Sequence, residues 1–99
     1  MSEQQVEQIV DRVRTQLGAL EHTLDGLRTV QGSAKNVDGS IVAYVDGRGA
    51  LTCLELAESV TRRDAVELGS EILATAHEAA RRAGAERARL LQDLRSALA

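Results

Sequence analysis

The stretch Gly32-Ser33-Ala34-Lys35-Asn36-Val37-Asp38-Gly39-Ser40-Ile41-Val42-Ala43-Tyr44-Val45-Asp46-Gly47-Arg48-Gly49-Ala50-Leu51-Thr52-Cys53-Leu54-Glu55-Leu56 decides the fold. Asp38-Gly39 is a strong hairpin signal, and Asp46-Gly47-Arg48-Gly49 is a second that offers a glycine for positive φ. Between them Ile41, Ala43 and Val45 point one way and Val42, Tyr44 and Asp46 the other; after the second turn Leu51, Cys53 and Glu55 oppose Thr52, Leu54 and Leu56. This alternation predicts a three-stranded antiparallel meander over about 30–36, 40–46 and 50–56. Its first strand is polar, as edge strands often are. Both faces carry apolar residues, so the sheet calls for a partner on its second face.

Working outward, the residues before the meander read as one helix over about 3–28. Val6, Val10, Val13, Leu17, Leu20, Leu24 and Leu27 recur in steps of four and three, the narrow stripe of a two-helix seam, and Ile9 widens it at one end. Gly18 and Gly26 each lower helix propensity by roughly 1 kcal/mol relative to alanine, so fraying is expected near Gly26.

The residues after the meander read as a second helix over about 62–97. Thr61-Arg62-Arg63-Asp64 has capping-box spacing, which places the start there. Val66, Gly69, Leu73, Ala76, Ala80, Ala83, Leu90 and Leu94 keep the three-and-four rhythm, broken by Arg87. The small residues Gly69, Ala76, Ala79, Ala80 and Ala83 would admit a helix or a sheet at close range. Such a helix is about 50 Å long, whereas strands of seven residues span only about 23 Å. The stripe through Leu90, Leu91, Leu94 and Leu98 must therefore find the first helix or a second chain. Antiparallel pairing of the two helices, with the remaining apolar surface buried in a homodimer, satisfies both.

Composition is compatible with that assembly. At 99 residues the chain makes one domain, 1–99, with a modest buried fraction. Hydrophobic content of 43% and charged content of 27% lie in the globular range, and Tyr44 is the one aromatic residue, so the core is aliphatic. Proline is absent, which suits long helices. The start Met1-Ser2-Glu3-Gln4-Gln5 lacks the basic and apolar segments of a signal peptide, and no apolar run reaches the roughly 18 residues that cross a bilayer. A cytoplasmic protein without a membrane partner is expected.

Catalytic chemistry has little to stand on. His22 and His77 lie on different helices, far from any second ligand at metal spacing, and read as ordinary surface or boundary residues. Cys53 sits in a strand pattern where a small apolar residue fits and is expected as a packed core thiol. Gly47-Arg48-Gly49 is followed neither by the lysine and hydroxyl of a phosphate-binding loop nor by a helix start, and a hairpin turn explains it. No metal, cofactor or enzymatic role is expected.

Helix, glycine-led strand, the run Gly39-Ser40-Ile41-Val42-Ala43-Tyr44-Val45-Asp46-Gly47-Arg48-Gly49, a strand ending Leu54-Glu55-Leu56, and a long helix with Ile72, Ala76 and Ala80 together resemble the YbaB/EbfC family of bacterial nucleoid-associated proteins. Glu78-Ala79-Ala80-Arg81-Arg82 resembles that family's second-helix pattern. The resemblance implies an α+β fold, an intertwined homodimer with helices projecting from a central sheet, duplex DNA as partner through those helices, and a place in the nucleoid. The chain departs from the pattern at Ala57-Glu58, where many members carry Asp-Pro.

Charge locates the contact such a function needs. The formal net charge is −3, yet residues 77–99 carry five basic side chains against three acidic ones. The candidate DNA-binding residues are accordingly Arg81, Arg82, Arg87, Arg89 and Arg95, which in a dimer would grip phosphates at two helix tips without reading bases. The same arginines have a second reading, since Glu78 with Arg82 and Glu86 with Arg89 stand where charges pair along a solvated helix. The alternative function is thus a structural or adaptor protein engaging a protein partner, for which an acidic balance is no obstacle. Some actinobacterial members of the family are associated with type VII secretion, and an arginine-rich, lysine-poor chain suits that group.

Overall fold

The computed structural model describes residues 2–99. Its order is α1 (Glu3–Thr29), β1 (Gln31–Lys35), β2 (Ile41–Asp46), β3 (Leu51–Leu56), a single 3-10 stretch (Glu58–Arg62) and α2 (Ala65–Leu98). Ser2 caps α1 reciprocally: its Oγ accepts from the Gln5 backbone N–H at 3.3 Å, and Gln5 Oε1 accepts from the Ser2 N–H at 3.1 Å. Two of the four donors that every helix start leaves unpaired are met in this way.

The meander forms an antiparallel sheet of order β1-β2-β3, with Ala34 opposite Ala43 and Ala43 opposite Leu54. Each hairpin turn is closed by an acid and a glycine. In the first, Asp38 Oδ1 accepts from the Ser40 N–H at 2.9 Å and Gly39 takes φ +75°. In the second, Asp46 Oδ1 accepts from the N–H groups of Arg48 and Ala50 at 2.9 and 3.0 Å while Gly49 takes φ +83°. Left-handed φ carries little penalty for glycine, which is why the chain turns there.

One sheet face and α2 enclose the core: Val30, Ala34, Ala43 and Val45 against Ala79 and Ala83, rimmed by Leu27, Leu54, Ala76 and Leu90. Ile41 and Val45 are completely enclosed, each contributing roughly 1.5–3 kcal/mol by leaving water. The small residues of α2 receive the sheet, and the closest approach falls at Gly32, where a Cβ would sit 2.2 Å from the Ala79 carbonyl oxygen. No side chain fits at that position.

Three sequence expectations need correction. The α2 cap is Asp64, whose Oδ2 accepts from the N–H groups of Val66 and Glu67 at 3.1 Å. Thr61 lies within the 3-10 turn that buries Val60, and its hydroxyl donates to the Glu58 carbonyl at 2.9 Å, so it is spent before the helix begins. A carboxylate is also the better partner for the positive helix end. Cys53 is exposed, because it pairs with Tyr44 on the sheet face turned away from α2, on a strand with no neighbour beyond it. Finally, α1 runs unbroken past Gly26 to Thr29: the missing side chain there admits Leu90, whose methyl carbons lie 3.2–3.3 Å from where a Cβ would stand.

Leu90 against Gly26, and Ala79 and Ala83 against Gly32, show the α1–β1 segment running antiparallel to α2. That contact involves only the last turns of α1. With α2 alone about 51 Å long and the molecule 76 Å in its longest dimension, the first half of α1 projects well past Leu98. Along that projection Val6, Ile9, Val10, Val13 and Leu17 are 40–52% exposed. The helices therefore pair within one chain over a shorter length than the stripe offers.

An ion cluster ties the first hairpin to α2. Arg63, only 24% exposed, pairs with both Asp38 and Glu71, and Asn36 Nδ2 donates to Ser40 Oγ at 3.0 Å. Hydrogen bonds from the Ser40 hydroxyl and backbone N–H, aided by the Arg63 charge, hold the Asp38 carboxyl down at about 2 from its ordinary 3.8.

Three outcomes are expected. At fixed protein concentration, Gly32→Ala should lower unfolding stability by about 1–3 kcal/mol, the usual cost of overpacking. Gly18→Ala, whose Cβ would meet nothing within 4 Å, should raise it by about 0.5–1 kcal/mol in the same urea titration. Asp38 stays ionised in the folded chain down to about 2, while in the unfolded chain it takes up a proton near 3.8. Stability contributed at higher pH is therefore lost as pH falls from about 4 to about 2. Asp38→Asn should lower the melting temperature at neutral pH and flatten its fall across that window; parallel wild-type and variant curves would contradict this.

Candidate nucleic-acid interface

The basic half of α2 begins under the sheet and runs on beyond it. Ala79 and Ala83 face the sheet and Leu90 faces α1, which leaves the intervening arginines on the flanks of the helix. Most of them are engaged. Arg81 reaches Glu78 Oε2 with Nε at 3.0 Å and Nη2 at 2.5 Å. Arg82 contacts the same Glu78 at 3.4 Å, and its Nη1 donates to the Ser33 carbonyl at 3.0 Å, pinning α2 to β1. Arg89 bridges Glu86, at 2.5 and 3.1 Å, and Asp93 at 3.1 Å.

The titration behaviour follows the pairing. Hydrogen bonds from Arg81, then its charge and that of Arg82, depress the Glu78 carboxyl; the hydrogen bond from Arg89 depresses Glu86, and Glu86 in turn raises Arg89. All these groups stay charged near neutrality. They are also solvent-exposed and three or four residues apart on one helix, the setting in which ion pairs hold each other weakly.

Arg87 and Arg95 differ. Among the described residues neither makes an ion pair, and both are exposed. Arg87 faces a cleft of about 520 Å³ between the end of α1, the β2–β3 hairpin and α2, which it shares with Arg28 and Arg48. Of the five sequence candidates, then, the structure joins Arg81 with Arg82 around Glu78, sets Arg89 between two carboxylates, and turns Arg87 toward arginines of other elements. Sequence reasoning passed over Arg28 and Arg48, because residues 28, 48 and 87 become neighbours only once the hairpin folds back between the helices. The one local signal was an arginine held between two glycines, Gly47-Arg48-Gly49.

Chemically the region offers charge rather than reactivity. Among the described residues no three histidine, cysteine or acidic side chains are grouped to hold a metal, and no helix is long and apolar enough to cross a membrane.

A helix, a three-stranded antiparallel meander and a long second helix with a net-basic end define a small α+β protein. The chain belongs to the YbaB/EbfC DNA-binding family, whose model matches residues 2–98. Among solved structures it is similar to that of uncharacterized protein HP0035 from Helicobacter pylori, with a TM-score of 0.59 and 17% identity over 95% of this chain and 97% of that one. At that identity the likeness speaks for the fold. No curated protein matches the chain.

Proposed function

We propose that the chain acts as a single domain over residues 1–99 and, as a homodimer in the nucleoid of the cytoplasm, binds duplex DNA without sequence preference through Arg81, Arg82, Arg87, Arg89 and Arg95. The observation that carries the reading is the arginine-rich end of α2 in a chain of this family. The overall charge of −3 is no obstacle, since binding depends on the local field of one patch. Nor are the ion pairs. Each exposed pair contributes little, so exchanging a glutamate for a phosphate costs little, while release of condensed counterions from the duplex drives association. Phosphate contacts of this kind position a protein on DNA and carry no sequence information.

The dimer rests on surface left uncovered. The stripe of α1 is exposed from Val6 to Leu24, as are Leu51 and Leu56 on β3 and Leu73 on α2. Since α2 lies over β1 and β2, β3 overhangs it and offers an open edge to another chain. A second copy satisfies both. The same stripe supports the second reading, an adaptor whose projecting α1 docks on a helix of a protein partner.

Light scattering should give a mass double that of the 10.6 kDa chain, and Val13→Asp with Leu17→Asp should shift it toward the monomer. In a fluorescence-anisotropy titration against an arbitrary duplex, affinity should fall steeply between about 50 and 200 mM salt. Replacing Arg81, Arg82, Arg87 and Arg89 by alanine should abolish binding with the dimer intact. Glu78→Gln, which frees two guanidinium groups, should tighten it. Absence of binding at the lower salt would overturn the DNA reading and leave the adaptor.

A further inference from the structure

We infer that the cleft lined by Arg28, Arg48 and Arg87 is a phosphate-binding site, the point at which the phosphodiester backbone of duplex DNA is seated between the two helices and the hairpin. The inference deepens the DNA-binding function proposed above and rests on it for the source of the phosphate. Three observations converge.

First, the three guanidinium groups come from three elements: the last turn of α1, the β2–β3 turn and α2. Arginines along one helix are the ordinary consequence of a solvated face; three arginines from separate elements around one cleft form a positive patch that calls for a counter-charge. An anion between them supplies it, and the planar fork of each group suits a phosphate oxygen pair.

Second, their own carboxylates neutralise them only in part: the cleft is lined by three arginines and one carboxylate, Asp46. Arg48 and Arg87 make no ion pair among the described residues. Arg28 touches Asp25 at 3.4 Å with both side chains 76% exposed, a contact that solvent screens. Asp46, the acid that shares the cleft, keeps its charge, but its Oδ1 is directed into the turn, where it accepts from the N–H groups of Arg48 and Ala50. Glu86, next to Arg87 in the chain, is taken by Arg89.

Third, the walls are fixed. At Gly47 a Cβ would stand 3.3 Å from Val30 Cβ and 3.5 Å from the Leu27 carbonyl, and at Gly49 3.6 Å from Ala80 Cβ. The hairpin is thus wedged against the end of α1 on one side and against α2 on the other. The backbone that carries the arginines is in place before an anion arrives, and only their exposed side chains remain to be ordered. Leu24 and Leu27 complete the lining with apolar surface.

The test compares Arg48→Ala/Arg87→Ala with Arg12→Ala/Arg14→Ala, which removes the same charge from the projecting part of α1. Duplex affinity at about 50 mM salt should drop at least ~10-fold for the first pair, with the slope of log K against log salt shallower by about 2. The second pair should stay within about twofold of wild type. Inorganic pyrophosphate, titrated in parallel, should shift the Arg28, Arg48 and Arg87 Nε–Hε resonances selectively. If wild type binds no duplex while pyrophosphate still shifts those three, the phosphate site stands and its DNA source fails. If duplex binds, both double variants behave alike and pyrophosphate moves all arginines equally or none, the cleft is overturned and DNA binding through α2 stands.

Discussion

The structure depends on how closely a polypeptide backbone can lie against a helix. At Gly32 the sheet meets α2 with no room for a Cβ, and Ala79 and Ala83 are the residues that receive it. Dispersion and the hydrophobic effect reward such contact only when both surfaces are small and apolar, which accounts for the run of alanine in mid-α2 and for a core with no aromatic side chain. Everything else is arranged around this contact. It sets the helix across β1 and β2, brings Arg82 onto the Ser33 carbonyl, and holds the β2–β3 hairpin against the end of α1.

The same contact leaves surface unsatisfied. A sheet of five- and six-residue strands covers only the middle of a 34-residue helix. The remainder of α2 takes the end of α1, and the rest of α1 projects with its stripe in water. A monomer of this shape leaves a row of half-exposed apolar side chains in water, the kind of surface that marks an interaction site. An elongated subunit with a naked β3 edge and a bare helix is what an intertwined pair requires.

Legibility in the sequence varied with the range of the interaction. The strands and helices were readable because alternation around Ile41, Ala43 and Val45, and the stripe from Val6 to Leu27, are local patterns. The small residues of α2 signalled a close approach, though not that the sheet rather than a helix would make it. Thr61 misled because a threonine three residues before an acid looks the same whether it caps an α-helix or closes a 3-10 turn, and burial of Val60 decides between them. Cys53 misled because strand alternation gives a side chain's face, but not whether that face is covered. Among the arginines, Glu78 with Arg82 was visible as helical spacing. The meeting of Arg28, Arg48 and Arg87 was not, since it depends on two glycines letting a hairpin settle between helices.

Electrostatics reconciles an acidic chain with a polyanion. The charges that make the total negative lie mainly on α1 and the sheet, whereas residues 77–99 are net basic, and screening over about 8–10 Å at physiological salt weakens the field of those acidic groups that lie beyond the contact of α1 and the sheet with α2. Arg81, Arg82 and Arg89 are held by weak exposed pairs and Arg87 and Arg95 by none among the described residues, so a stronger anion can compete for them. The most direct measurement is the arginine Nε–Hε spectrum of the isotope-labelled protein with and without a short duplex at low salt. The account predicts shifts at the α2 arginines and at Arg28 and Arg48, with Arg12 and Arg14 unmoved. A spectrum unchanged by duplex, or changed only at Arg12 and Arg14, would contradict it.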